Sequence, residues 1–153
     1  MKILDILDEE MILSDLKAGG KKEAIEEMAK VAVRHDERLN IDMLLDVLLE
    51  REKLGSTGIG DGVAIPHGKV PGIDDVIAVF ARSIEGIDFD SMDDKKAHLF
   101  FLLIAPENSS GAHLKALAKI SRLMKEPQFR MGLMEAKSRE EILRAFSEED
   151  SKY

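Results

Sequence analysis

A chain of 153 residues, 44% of them hydrophobic and 34% charged, is long enough to fold around a sizeable core and lacks the composition of a disordered segment. Its formal net charge of −8 disfavours a nucleic-acid-binding protein, which would need a basic face. Because the chain has no cysteine, disulfides, thiolate catalysis and cysteine metal sites are excluded, and we expect a location in the reducing cytoplasm.

The N-terminus and the longest apolar run argue against export and against insertion into a membrane. Residues 1–10 turn acidic at once and show no cleavable signal pattern. The longest apolar run, residues 99–105, is far shorter than the roughly 20 residues that cross a bilayer as a helix. We therefore expect no segment of this chain to enter a membrane directly.

The first third of the chain predicts two amphipathic helices. Before them, the pattern indicates two short elements, a helical turn at 3–8 and an edge strand at 11–14. Apolar residues at spacings of three and four predict the first helix over about 22–35. The second helix begins at Asn40 or Asp42, either of which can cap it, carries a leucine-rich stripe and stops at Gly55.

Two continuous apolar runs predict the centre of a sheet. Residues 76–81 and 99–105 do not alternate with polar residues, which is typical of strands buried on both faces. The polar segment between them, 83–95, has no helical period, so the connection is not expected to be a helical crossover. The expected fold is α/β, a single domain over 1–153 with a mixed central β-sheet flanked by helices on both faces.

The last third of the chain predicts three helices. Their ranges are about 111–125, 127–135 and 139–146. Either Ser109 or Ser110 is suited to cap the first of them, and Pro127 separates the first from the second. Residues 147–153 are expected to fray at the end of the chain.

Five of the eleven glycines lie in the glycine-rich segment, residues 55–68. So much glycine predicts sharp bends or the close approach of a ligand, although a tight multi-turn loop without a ligand is also compatible with it. The segment follows a helix rather than a strand, which excludes a dinucleotide-binding fingerprint. Val70 stands where a P-loop requires Ser or Thr, and the chain contains no G-x-S-x-G elbow of a serine hydrolase.

His67 is the first candidate site residue, because it follows an apolar run and Pro66 at the end of this segment. A histidine nucleophile needs one ring nitrogen tied down, so that the other presents its lone pair to an electrophile. A turn with free backbone carbonyls can supply that tie, and residues 68–72 are expected to form another turn. By itself, a histidine at a strand end is also explained as a hydrogen-bonded structural residue.

Two further residues are candidates for an anion site. His113 falls in the first turn of its helix, where N–H groups and the helix dipole favour an anion and a neutral imidazole. Arg51 lies at the edge of the apolar face of the second helix, and a guanidinium is well suited to phosphoryl oxygens. The alternatives are a core or capping histidine and a helix-end charge. We interpret His35 and His98 as structural or surface residues.

The glycine-rich segment resembles the signature of a known family. Glu52, Ile59-Gly60 and Val63-Ala-Ile-Pro-His-Gly68 are spaced as in the IIA component of the bacterial phosphoenolpyruvate-dependent sugar phosphotransferase system. The resemblance is to its fructose/mannitol (type 2) family, which includes the nitrogen-regulatory IIA branch. Three further segments resemble the same family, so the resemblance covers nearly the whole chain: 51–58, 103–114 and 136–142. Gly132 departs from the pattern in a segment that is usually more helical.

The resemblance implies a phosphohistidine mechanism. His67 would accept a phosphoryl group, through Nε2, from the histidine phosphocarrier protein HPr and pass it to a IIB component during fructose- or mannitol-type sugar uptake. His113 corresponds to the family's second histidine, which orients the phosphoryl group, and Arg51 to its phosphate-stabilising arginine. No cofactor and no metal ion are then required.

Three hypotheses for the function follow. The first is phosphoryl transfer during sugar uptake, and the second is a nitrogen-related regulatory protein that binds other proteins according to its phosphorylation state. A free-standing IIA chain is compatible with both. The third is an α/β domain that binds a metal or ligand and has no phosphoryl chemistry. The sequence does not specify the sugar.

Overall fold

The computed structural model of this chain describes residues 1–152. Two short 3-10 helices, Ile3–Asp5 and Glu9–Met11, come first. The α-helices of the described residues are α1 (Lys21–His35), α2 (Ile41–Lys53), α3 (Ser110–Met124), α4 (Pro127–Glu135) and α5 (Arg139–Asp150). The strands are β1 (Ile12–Leu13), β2 (Gly58–Gly60), β3 (Val63–Ala64), β4 (His67–Val70), β5 (Ile77–Ile87) and β6 (Ala97–Pro106).

All five predicted helices are confirmed, as is the brief edge strand near residue 12. The side chain of Asn40 accepts a hydrogen bond from the backbone N–H of Met43 at 3.0 Å, so Asn40 rather than Asp42 caps α2. Gly132 does not interrupt α4, which continues past it to Glu135. Within residues 1–152, no helix has both the length and the apolar character needed to span a bilayer.

The strands form one mixed, open sheet. Its order is β1–β5–β6–β3–β2, and β4 pairs with β6 beyond the end of β3. β5 and β6 are antiparallel neighbours, with Phe80 opposite Phe101, which agrees with the absence of a helical period between them. β1 pairs in parallel with β5, and β3 and β4 pair in parallel with β6. The α/β fold with a mixed central sheet is therefore confirmed.

Adjacent phenylalanines on β6 show how the helices cover both faces of the sheet. Side chains of successive strand residues point to opposite faces. Phe101 packs against Phe146 of α5, with ring centroids 5.3 Å apart. Phe100 packs against Phe89 on the other face, with centroids 5.5 Å apart, and the ammonium of Lys21 in α1 lies over the Phe89 ring. α1 and α2 thus cover one face, and α3, α4 and α5 cover the other.

β3 and β4 behave as one strand that is interrupted at Ile65 and Pro66. β3 pairs with residues 99 and 100 of β6, and β4 pairs further along, from His67 opposite Leu103 to Val70 opposite Pro106. The expectation of a turn over residues 68–72 is therefore wrong for residues 68–70, which belong to β4, whereas the chain bends at residues 71 and 72. This part of the chain forms a strand because β6 offers a long partner edge, which the local composition does not reveal.

Residues 58–64 of the glycine-rich segment form a short hairpin. β2 and β3 are antiparallel, and the turn between them contains Gly60, Asp61 and Gly62 at φ values of 96°, 57° and 77°. Such positive φ values favour glycine, and an aspartate tolerates them better than most residues. The glycines here therefore serve the turn geometry.

The end of the chain is more ordered than the sequence indicates. α5 continues to Asp150, so the expectation that fraying begins at residue 147 is wrong for residues 147–150. The Asp150 carboxylate is buried, accepts a hydrogen bond from the backbone N–H of Ile3 at 2.5 Å and forms an ion pair with Lys119. These partners are distant in sequence, which is why composition alone indicates a loose end. Tyr153 lies outside the described residues.

Candidate functional site

The interruption between β3 and β4 sets the orientation of the His67 ring. Pro66 has no N–H, and its carbonyl accepts from the N–H of Leu103 at 2.9 Å, which holds the break against β6. The carbonyl oxygen of Ile65 lies 2.8 Å from Nδ1 of His67. Because a carbonyl can only accept, Nδ1 carries the proton in this bond, and the neutral ring has its lone pair on Nε2. The structure thus contains the hydrogen bond at one ring nitrogen that is expected of a nucleophilic histidine.

The surroundings of His67 keep its ring uncharged near neutral pH. Burial lowers the pKa of His67 below its ordinary value of 6.5. The hydrogen bond to Ile65 and the carboxylate of Glu52 oppose this effect, whereas the positive charge of Arg51 adds to it. The net lowering of the pKa favours the neutral ring, whose Nε2 lone pair is needed for nucleophilic attack.

His113 lies beside His67 in the first turn of α3. The two ring centroids are 5.3 Å apart, and the rings meet edge to face at 63°. His113 is only 7% exposed, and its Nε2 is buried without a hydrogen-bond partner among residues 1–152. Burial, followed by the charges of His67 and Lys69, lowers the pKa of His113. A neutral imidazole nitrogen without a partner is unusual in a protein interior and is suited to bind a polar group at this place.

Arg51 lies in the last turn of α2, and it lines one shallow cavity of about 410 Å³ with His67 and His113. Its Nη1 donates to the carbonyl oxygen of Gly55 at 2.8 Å, which occupies one of the five guanidinium N–H donors. Leu54, 85% exposed, forms part of the apolar rim. The structure therefore brings together all three residues that the sequence selected.

Gly68 explains how α2 comes close enough to deliver Arg51. A Cβ atom on Gly68 would lie 2.5 Å from Cγ1 of Val47 on α2, a distance that real contacts do not show. The absence of a side chain at Gly68 lets α2 pack directly on β4. Arg51 lies one helical turn after Val47 and is carried to the cavity by that packing.

Lys69 is a site residue that the sequence analysis missed. It lines the same cavity, and its Nζ donates to Oγ of Ser110, the first residue of α3, at 2.9 Å. Alternate residues of a strand point to the same side, so Lys69 follows His67 on that side of β4. The turn predicted over residues 68–72 gives no such signal, because the alternation of a strand does not apply in a turn.

The other two histidines lie outside the cavity, as expected. Nδ1 of His98 is hydrogen-bonded to the carbonyl oxygen of Ser83 at 3.0 Å. His35 lies 3.2 Å from the carboxylate of Asp8 and 3.6 Å from that of Glu10, at the end of α1. Among residues 1–152, no three metal-ligand side chains are grouped where they could hold an ion.

Taken together, the cavity combines an imidazole nitrogen with its lone pair available and several groups suited to an anion. The N–H groups in the first turn of α3 and the cations of Arg51 and Lys69 favour negative charge. The partnerless Nε2 of His113 is buried next to them. This arrangement can attack an electrophile that carries negative charge and hold that charge during the attack.

One protein family matches nearly all of the chain. The family, described as "Phosphoenolpyruvate-dependent sugar phosphotransferase system, EIIA 2", matches residues 5–149. A nitrogen regulatory protein of Bradyrhizobium diazoefficiens is 47% identical over 126 residues, covering 82% of this chain and 82% of that protein. A fructose-specific EIIA component from Haloferax volcanii is 40% identical over 136 residues, covering 87% of this chain and 86% of that protein.

Solved structures show the same fold. The crystal structure of the nitrogen regulatory protein IIA-Ntr from Neisseria meningitidis has a TM-score of 0.87 at 37% identity, covering 93% of this chain and 97% of that chain. The complex of mannitol enzyme IIA with phosphorylated enzyme IIB from Escherichia coli also matches. The matching chain of that complex superimposes on this chain with a TM-score of 0.79 at 25% identity, covering 93% of this chain and 97% of that chain.

Proposed function

Since this chain belongs to the EIIA 2 family of the phosphoenolpyruvate-dependent sugar phosphotransferase system, we propose that it carries a phosphoryl group on Nε2 of His67. One observation supports this assignment above the others. The bond from Nδ1 to the carbonyl of Ile65 leaves the lone pair on Nε2, in a cavity that it shares with Arg51 and His113. No other histidine of residues 1–152 has this combination of contacts.

The proposed step is an in-line displacement at phosphorus. A bond forms between Nε2 of His67 and the phosphorus, and the bond from phosphorus to the donor nitrogen breaks. Such transfers depend mainly on positioning and on stabilising the charge of the three equatorial oxygens. Arg51 and the first turn of α3 stabilise that charge, and His113 orients the phosphoryl group with its unpartnered Nε2. In the second transfer the same Nε2–P bond breaks, and a bond forms between the phosphorus and the nucleophile of the acceptor protein.

The partners in this proposal are two proteins. The donor is an HPr-type histidine phosphocarrier, as the family signature around His67 implies. The acceptor is a IIB domain, which the similarity to the IIA subunit of a IIA–IIB complex supports. We place both transfers in the cytoplasm, and cell fractionation tests that placement. The exposed Leu54 on the rim of the cavity gives a partner protein an apolar surface to contact.

Between the two physiological roles, similarity favours regulation over transport. The nitrogen regulatory relative is 47% identical, and the IIA-Ntr structure superimposes with a TM-score of 0.87. We therefore propose a protein that binds regulatory targets according to its phosphorylation state. Transfer to a fructose- or mannitol-class IIB is the second candidate, which the 40% identity to a fructose-specific EIIA component supports.

Phosphoryl transfer to purified protein tests the proposal. Radiolabelled phospho-HPr should give one acid-labile phosphate per chain, located on His67 by peptide mapping. A His67→Ala variant that accepts as much label as the wild type would contradict the assignment. Adding a fructose- or mannitol-class IIB then separates the roles, because rapid loss of label to IIB supports transport. Stable label, with target binding that changes on phosphorylation, supports regulation.

A further inference from the structure

A buried ion pair joins α1 to the residue that follows Arg51. Nζ of Lys21 lies 2.8 Å from Oε2 of Glu52, whose side chain is only 6% exposed. The same ammonium lies 5.1 Å from the centroid of the Phe89 ring and 3.5 Å from the carboxylate of Asp90. A buried carboxylate is costly unless its oxygens are paired, so this contact fixes Glu52 in one place.

Glu52 uses the same carboxylate to hold the turn that follows α2. Its two oxygens accept from the backbone N–H of Thr57 at 3.2 and 3.3 Å. One of them also accepts from the Thr57 hydroxyl. The carbonyl of Thr57 accepts from the N–H of Ile65 at 3.0 Å, so this buried threonine is fixed on both sides.

The turn between Glu52 and Thr57 presents the carbonyl that orients Arg51. Gly55 is exposed, and no atom lies within 4 Å of the place where its Cβ would be, so packing does not hold it. Its N–H donates to the carbonyl of Glu52 at 3.2 Å, and Thr57 follows two residues later. Ser56, the next residue, donates from its hydroxyl to the carbonyl oxygen of Phe89 at 2.6 Å. The Gly55 carbonyl, and the Arg51 guanidinium bonded to it, are thus held between this bond and the contacts of Glu52.

We infer that Glu52, held by Lys21, is a positioning residue for phosphoryl transfer, because it fixes the Gly55 carbonyl that orients Arg51. The inference rests on the proposed function of His67, and it adds two residues to it. Neither Glu52 nor Lys21 lines the cavity of His67, and the proposed covalent step is unchanged. The pair keeps one guanidinium donor on Gly55 so that the remaining donors point in a fixed direction.

A second buried ion pair between a lysine and a carboxylate, Lys119 and Asp150, provides a control for the pair of Lys21 and Glu52. Asp150 is buried, forms an ion pair with Lys119 and accepts from a backbone N–H, that of Ile3. Asp150 lies at the end of α5, and Lys119 lies in α3 six residues after His113; neither of them lines the cavity of His67. Replacing Asp150 therefore removes a comparable buried contact without disturbing Arg51, and this makes Asp150→Asn the control for Glu52→Gln.

Phosphoramidate is a suitable donor for the test, because its own P–N bond breaks, ammonia leaves, and no partner surface is needed. Rates of His67 labelling are measured at pH 8, where the neutral ring is the main form in every variant. We expect Glu52→Gln to slow labelling about tenfold and Lys21→Met by a similar factor, whereas Asp150→Asn stays within about twofold of the wild type. Circular dichroism confirms that the variants are folded under the assay conditions.

The decisive comparison uses a double-mutant cycle. In an Arg51→Ala background, adding Glu52→Gln should slow labelling by less than about twofold, because there is no guanidinium left to position. Full tenfold slowing in that background would overturn the inference, as would equal slowing by Asp150→Asn. A wild type that takes no label at His67 would overturn the proposed function and this inference together. If Glu52→Gln does not fold, Thr57→Val tests the same dependence on Arg51 with a smaller change.

Discussion

Nδ1 of His67 lies 2.8 Å from the carbonyl oxygen of Ile65, only two residues earlier in the chain. The histidine is therefore oriented by the backbone next to it, at the interruption between β3 and β4. Because Nδ1 carries the proton in that bond, Nε2 has the lone pair. A short local segment thus determines which ring nitrogen has its lone pair available.

Single substitutions of His67 and His113 should distinguish the proposed nucleophile from the residue proposed to orient the phosphoryl group. His67→Gln should abolish labelling by phospho-HPr, because it removes the nitrogen proposed to accept the phosphoryl group, and Nε2 of His113 is buried. His113→Gln should keep a labelled His67 but slow its formation about tenfold to a hundredfold, as the loss of one oriented polar group does. Label that moves to His113 in the His67 variant would show that the two roles are exchangeable.

Arg51→Ala should slow transfer about a hundredfold, because it removes a charged donor for the equatorial oxygens. Its folding should change little, since the observed hydrogen bond of Arg51 is made at an exposed carbonyl. Arg51→Lys should recover only part of the rate, because an ammonium cannot present a planar fork. Loss of folding without a specific loss of transfer would instead favour a helix-end role.

Lys69 should contribute to the transfer through its charge. Lys69→Met should slow labelling of His67 about tenfold, a typical effect of losing one charged hydrogen-bond donor. Ser110→Ala is the control, because it removes the present partner of Lys69 but leaves the charge in the cavity. Equal rates for Lys69→Met and the wild type would limit Lys69 to holding the start of α3.

The pH dependence of the free energy of unfolding should reflect the lowered pKa values of both His67 and His113. The folded pKa values of His67 and His113 are lower than the ordinary 6.5, so the unfolded chain binds more protons below about pH 6.5. The free energy of unfolding should therefore fall as pH decreases from 6.5 through the folded pKa values. Denaturant titrations should show a shallower fall in the His67→Gln/His113→Gln double variant, and an identical fall would contradict the burial of both rings.

Gly68→Ala should push α2 away from β4, because the new Cβ would meet Val47 at 2.5 Å. We expect a loss of about 1–3 kcal/mol in the free energy of unfolding, as for other overpacked sites. Transfer should slow as well, since the displaced helix carries Arg51. Adding Val47→Ala should restore part of both quantities, and no recovery would show that the glycine is needed for its backbone instead.

The sequence indicates three residues that the structure brings to one cavity, His67, His113 and Arg51, because each carries a local signal. His67 follows Pro66 at the end of an apolar run, His113 falls in a helical first turn, and Arg51 falls on the edge of a leucine stripe. The strands β5 and β6 are also evident, since continuous apolar runs of this kind are typical of strands buried on both faces.

The features that the sequence does not reveal all depend on distant partners. β4 forms because residues 103–106 of β6 pair with it. The position of Lys69 on the same side as His67 depends on that pairing, so the local sequence does not indicate it. Glu52 forms part of a recognisable signature, but its ion pair with Lys21 joins residues that are 31 positions apart. The ordered end of α5 depends on Asp150 and on its contact with Ile3, at the other end of the described chain.

That last contact has a practical consequence for topology. The first turn of the chain and the last turn of α5 are joined by a hydrogen bond of 2.5 Å between Ile3 and Asp150. A short flexible peptide should therefore be able to connect residues 1 and 152, which lie next to the two partners of this bond. A circular permutant opened near the exposed Met92 should fold and keep the His67 cavity intact.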